Sequence, residues 1–154
     1  MALTKLNFSG QPSIPSASMP TDSVIQVKEG IFDTQTDVSS SYSNSGLSVS
    51  ITPISTSSKI FVITNVHCFN NGVGFIGLKV WRDDTTDVVQ NAYVSGYDDN
   101  HCSVSVLTTV DSPSTTNSIT YRVQFKVTSG SGTYRINQGT GNGGSRITVM
   151  ELAG

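Results

Sequence analysis

The chain has 154 residues and a net charge of −2, and charged residues are only 13% of it, with no cluster of Lys or Arg, which excludes a duplex-binding surface that must neutralise many phosphates. Val, Ile, Thr, Phe, Tyr and Trp number 58, against 30 for Ala, Leu, Glu, Lys, Arg, Gln and Met, so a helical protein is excluded and an all-β class is expected. Leu, Ile, Val and Phe total 40, which excludes a disordered chain and suits one domain that buries about 70% of its unfolded surface.

No apolar run approaches 18 residues, so no transmembrane helix and no membrane partner are expected. Met1 to Leu6 has no hydrophobic signal region, and Cys68 and Cys102 are too few for a disulfide framework. Synthesis in a reducing cytoplasm is expected.

Residues 1–22 read as an extended arm. Pro12, Pro15 and Pro20 each remove a backbone donor and turn the preceding residue away from helix. Leu3, Leu6, Phe8 and Ile14 are spaced apolar residues with no partner inside such an arm. It is either a frayed tail or a docking segment that orders on a neighbouring subunit or partner.

From Ser23 onward short strands recur. Ser23 to Lys28 and Ile31 to Asp37 are expected as two strands, and Ser39 to Ser45 as a Ser-rich turn. Leu47, Val49 and Ile51 alternate with Ser48, Ser50 and Thr52 in a half-buried strand. Strands are then expected over Lys59–Phe69, Val73–Trp81, Val88–Tyr93 and His101–Val110. In Ser118–Val127, Ile119, Tyr121, Val123, Phe125 and Val127 share one face, and Thr120, Arg122, Gln124 and Lys126 the other. Tyr134–Ile136 and Ser145–Leu152 complete the set. Nine or ten short antiparallel strands predict a β-sandwich of jelly-roll type over residues 23–154. The turns carry Asn71-Gly72 and Gly141 to Gly144, which supply positive φ.

Two strands are apolar on both faces. Along Lys59–Phe69, Ile60, Val62, Val66 and Cys68 alternate with Phe61, Ile63 and Phe69. Ile76, Leu78 and Val80 alternate with Phe75 and Trp81 in the next strand. If both lie in one sheet, its outer face is covered. The cover is another copy of the chain, with Phe61, Ile63, Phe75 and Trp81 as the centre of a trimer interface, or else a loop or the arm.

For metal chemistry, His67-Cys68 and His101-Cys102 stand out. Adjacent strand residues point to opposite faces, so neither pair chelates one ion from a regular strand. Parity groups Cys68 with Val62 and Val66, and Cys102 with Val104 and Val106, so both thiols are expected in the core. A Cys68–Cys102 bridge could form if their strands are neighbours, and His67 and His101 are expected to share the other face. Asp83, Asp84, Asp87, Asp98 and Asp99 match no EF-hand spacing and read as solvated loop charges. Only two Glu, Glu29 and Glu151, exist, and no nucleophile-elbow or phosphate-loop motif occurs. No enzyme, no catalytic residue, no metal and no cofactor are expected. Tyr93, Tyr97 and Tyr134 are read as lying in or beside loops, where their ring faces could stack on a glycan.

Three stretches then carry a resemblance. They are the run Gly46-Leu47-Ser48-Val49-Ser50-Ile51-Thr52-Pro53-Ile54-Ser55-Thr56-Ser57-Ser58-Lys59-Ile60, the pair Asp111-Ser112-Pro113 and Ile119-Thr120-Tyr121-Arg122-Val123-Gln124, and the terminal Ser145-Arg146-Ile147-Thr148-Val149-Met150-Glu151-Leu152. In register over residues 23–154, they resemble small structural proteins of tailed bacteriophages. The pattern is similar to trimeric jelly rolls of the tumour-necrosis-factor and complement kind. The resemblance implies a homotrimeric knob on the exterior of a virion, as capsid decoration, head fibre or spike, held to other virion proteins (capsid, neck or tail) by its arm. A tail-fibre tip that binds a host surface glycan is the alternative. The sequence has no coiled-coil or repeat shaft, which favours the short appendage.

Overall fold

The computed structural model describes residues 19–96, 100–138 and 144–154, with the backbone alone over 90–96. The strands are β1 (Val24–Phe32), β2 (Thr36–Asp37), β3 (Ser43–Ile51), β4 (Lys59–Asn71), β5 (Gly74–Arg82), β6 (Thr86–Gly96), β7 (His101–Asp111), β8 (Ile119–Gly130), β9 (Thr133–Ile136) and β10 (Ser145–Leu152).

They form two antiparallel sheets. One runs β3-β8-β5-β6. In the other, β1 pairs with β10, and β10 with β4. The far edge of β4 is taken along its length by β7. β9 extends the line of β10 along β4, and β2 pairs with β9. Treating β2 and β9 as extensions, the pairings β1–β10, β3–β8, β4–β7 and β5–β6 nest first with last, which is the jelly roll.

The alternation of apolar residues builds the core between the sheets. Leu47, Val49 and Ile51 from β3 meet Tyr121, Val123 and Phe125 from β8, with Ile76, Leu78 and Val80 from β5. Ile60, Val62 and Val66 from β4 and Ile147 and Val149 from β10 close it from the other side. Tyr121, Val123 and Phe125 are fully enclosed, each contributing roughly 1.5–3 kcal/mol by leaving water.

Three local expectations are corrected. β1 is one continuous strand where two were expected. Gly30 does not break it, because the strand there crosses β3 so closely that a Cβ would stand 2.0 Å from the Ser48 carbonyl oxygen. β3 begins at Ser43, inside the expected Ser-rich turn. Asn71-Gly72 does not close a hairpin. With Gly72 at φ +130°, it carries the chain from β4 in one sheet to β5 in the other.

The connections sort to two ends. At one end lie residues 19–23, the β3–β4, β5–β6 and β7–β8 connections, and residues 153–154. There the Asp22 amide donates to the Ala153 carbonyl at 2.7 Å and the Ala153 amide to Ser23 at 2.9 Å. The β4–β5, β6–β7, β8–β9 and β9–β10 connections leave from the opposite end.

Candidate functional site

The candidate surfaces are the two outer sheet faces, and they differ. Expected interface residues Phe61 and Ile63 lie on β4, whereas Phe75 and Trp81 lie on β5 in the opposite sheet. They do not form one face. The expectation failed because apolar residues on both faces were taken to mean neighbouring strands, while the chain changes sheets at Gly72.

The outer face of the β5 sheet is covered by its own chain. Lys79 is 7% exposed. Its Nζ lies 3.8 Å from the Trp81 ring centre and 4.3 Å from that of Tyr42, and pairs with Asp87 at 3.2 Å. Lys126 Nζ also lies over the Tyr42 ring, 4.6 Å from its centre. Cations on aromatic faces of this kind are each worth about 0.5–2 kcal/mol. Gly77 makes room for Tyr42, whose hydroxyl would stand 3.2 Å from a Cβ there. Trp81 is therefore occupied within the molecule. Phe75, near the edge, is 40% exposed.

The outer face of the β1-β10-β4-β7 sheet is different. Register places Val27, Met150, Phe61 and Val110 in one row across four strands. Val24 and Leu152 continue it towards the end of the sandwich that carries both described termini. The next row is Glu29, Thr148, Ile63 and Thr108, and the third is Ile31, Arg146, Asn65 and Val106. Val24, Val27, Ile31, Val104, Val106 and Val110 are each about half exposed. The face is electrically closed, because Arg146 pairs with Glu29 at 3.2 Å and Lys59 with Asp22 at 3.2 Å.

β7 faces the opposite way from the expected one. Ser103, Ser105, Leu107 and Asp111 are on the inner side, and Cys102, Val104, Val106 and Val110 are on the outer. Two residues fix this parity. Leu107 is 5% exposed in the core, and Asp111 accepts from Arg82 Nη1 at 2.5 Å and from the Tyr121 hydroxyl at 2.7 Å. That network ties β7 to β5 and β8. Burial, then the neighbouring Asp111 carboxylate, pushes the Tyr121 phenol upward.

Cys68 is buried and free, and burial pushes its thiol up to about 12. Cys102 is free and exposed. It does not face the core, and it stands opposite Phe69 while Cys68 stands opposite Ser103. No bridge joins them. His67 is on the outer side and His101, opposite Asn70, on the inner, so the two histidines do not share a face. A cavity of about 190 Å³ touches His67, Cys102, Ser103 and Gln138. Among the described residues no group of three or more His, Cys, Asp or Glu could hold a metal ion, and no helix is long and apolar enough to cross a membrane.

The acidic residues of the β5–β6 connection are structural. Asp83 and Asp84 have φ of 51° and 56°, and the Thr85 amide donates to Arg82 at 3.1 Å, a two-residue turn of the mirror-image type that matches strand twist. The Asp83 carboxylate accepts from the Thr120 amide at 2.8 Å, and Asp84 pairs with Arg122. They are exposed, as expected of solvated loop charges, and their carboxylates are in addition held by β8. Asp98 and Asp99 lie outside the described residues, as do Tyr97, Leu3, Leu6, Phe8 and Ile14. Tyr93 lies on β6, opposite Gly77 of β5, and the strand runs on past it to Gly96. Tyr134 is 3% exposed, with its hydroxyl donating to Val73 at 3.2 Å, and offers no ring face.

Sequence reasoning missed Asn137. Its Nδ2 donates to the carbonyls of Phe32 at 2.8 Å and Thr34 at 3.2 Å. Its Oδ1 accepts from the Ser145 amide at 3.1 Å and hydroxyl at 2.6 Å. It bridges the breaks between β1 and β2 and between β9 and β10.

No family model matches the chain, and no curated protein matches it. Thirteen chains of solved structures match. One, from the structure of infectious bursal disease virus Gx strain, is similar at 13% identity with a TM-score of 0.37. The match covers 84% of this chain, which spans 37% of the length of that one.

Proposed function

We propose that this protein is a non-enzymatic structural component of a virion: a homotrimeric jelly-roll knob of a tailed phage, displayed as capsid decoration or head fibre and held by residues 1–22. The observation that carries the reading is the polarity of the fold. Hydrogen bonds between Ala153 and Asp22 and between Ala153 and Ser23 hold those two residues at one end of the sandwich. The segment that precedes them therefore departs from that end. The β6–β7 and β9–β10 connections leave from the other. A particle held at the first end presents the second outward. Three arms on one trimer add avidity at the docking site without any new contact.

Removal of residues 2–20 tests this. The shortened protein is expected to fold with an unchanged circular dichroism spectrum and to be lost from purified particles. Normal incorporation of the shortened protein would overturn the anchoring role.

A further inference from the structure

We infer that the outer face of the β1-β10-β4-β7 sheet is where a second copy of this chain docks, centred on the row Val27, Met150, Phe61 and Val110. This rests on the self-association part of the function proposed above and names its surface.

Three observations point to a protein partner, and to this one. The first is the parity of β7. Ser103 and Ser105 face inward, while Val104, Val106 and Val110 face outward at 53%, 55% and 53% exposure. An isolated sandwich stabilises itself with the reverse arrangement, hydrophobic in and polar out. The arrangement makes physical sense where the outer side also leaves water.

The second is extent. The half-exposed valines and isoleucine occur on both flanking strands, β1 and β7. Between them the inner strands β10 and β4 contribute Met150, Phe61 and Ile63. Four strands at about 4.8 Å spacing make a face roughly 15 Å wide. The eight residues from Val24 to Ile31 add a length of roughly 25 Å, so the face itself is about 400 Å², and a standard interface of ~800 Å² per partner would take in its polar margin as well.

The third is charge. Glu29 and Arg146 neutralise each other within the face, and Asp22 and Lys59 do so at its corner. A surface with net charge selects a partner of opposite sign. A surface that is neutral in itself packs beside the same face of further copies around a symmetry axis without like-charge repulsion, which self-association requires. Among the described residues of the opposite sheet, Tyr42, Trp81 and Lys79 close the middle of the outer face from within.

The test uses the full chain and three single substitutions, followed by light scattering after size exclusion and by circular dichroism. The unaltered protein is expected to run at a multiple of 16.3 kDa. Val27→Glu and Val110→Lys place a charge in the central row from two different strands. Each is expected to weaken self-association by roughly 100-fold or more while the fold is kept, because a charge buried without a partner is strongly disfavoured. Phe75→Lys, on the other sheet, is expected to leave the assembly intact. If Val27→Glu and Val110→Lys both stay assembled, the face is wrong although self-association stands. If the unaltered protein is a monomer, self-association itself is wrong, and the second copy falls with it. A rise in apolar-dye binding when residues 2–18 are removed from that monomer would give the face to the chain's own arm.

Discussion

Asn137 holds four side-chain hydrogen bonds at a point where two strand lines break. Its φ of 55° is one that asparagine tolerates better than most residues. Asn137→Ala should lower stability by about 2–4 kcal/mol, since it strands two carbonyls and the Ser145 donors. Urea denaturation should show this as a lower midpoint at unchanged slope. Nothing local in the sequence marks the residue, because its partners Phe32 and Thr34 lie more than a hundred positions away. The cysteines show the same asymmetry between identity and placement. The sequence puts both thiols in the core and leaves a bridge between them open, and only the fold separates them. A thiol-specific aromatic disulfide should label Cys102 promptly in the native protein and Cys68 only on unfolding, since burial lifts the Cys68 thiol to about 12. Fast labelling of both would contradict the burial. The same two raised groups set the pH response. Cys68 and Tyr121 are each held neutral above their ordinary values of 9.0 and 10.0. The stabilisation they bring is complete below about pH 9. It is lost progressively as the pH rises further, because the unfolded chain gives up those protons first.

Strands were the most legible elements. β8 is the clearest, because five apolar residues alternate with Thr120, Arg122, Gln124 and Lys126 and the apolar set is the buried one. Phe125→Ala should cost about 3–5 kcal/mol by leaving a cavity in the middle of the core. β7 shows what alternation leaves open. A Ser/Val repeat defines two faces but not which one is inside, and Leu107 and Asp111 decided it through contacts with other strands. Sheet membership was similarly hidden. The residues of β4 and β5 predict strands at nearly their observed positions, yet the two-residue connection at Gly72 looks like a hairpin turn and is a crossing. Gly30 looked like a strand end and is a place of contact between sheets. Gly30→Ala would push a methyl against the Ser48 carbonyl, and it should destabilise by about 1–3 kcal/mol in thermal melts.

On the scale of the whole molecule, the jelly roll was readable because its strands are short, regularly spaced and rich in β-branched residues. The proposed interface was readable only in part. Phe61 and Ile63 were recognised as outward-facing apolar residues, but they were joined to Phe75 and Trp81, which the opposite sheet holds. Val27 does not stand out in the sequence because single exposed valines are ordinary, and the parity of β7 read from the sequence puts Val106, with Val104, on the core side, whereas it is 55% exposed. They become informative only when register brings them into rows with Phe61 and Met150. The central claim is that this molecule works as an assembly of copies. It is tested most directly by the solution mass of the full chain, measured by light scattering at micromolar concentration. The account predicts three times 16.3 kDa, about 49 kDa. A stable species of 16.3 kDa across that concentration range would contradict it.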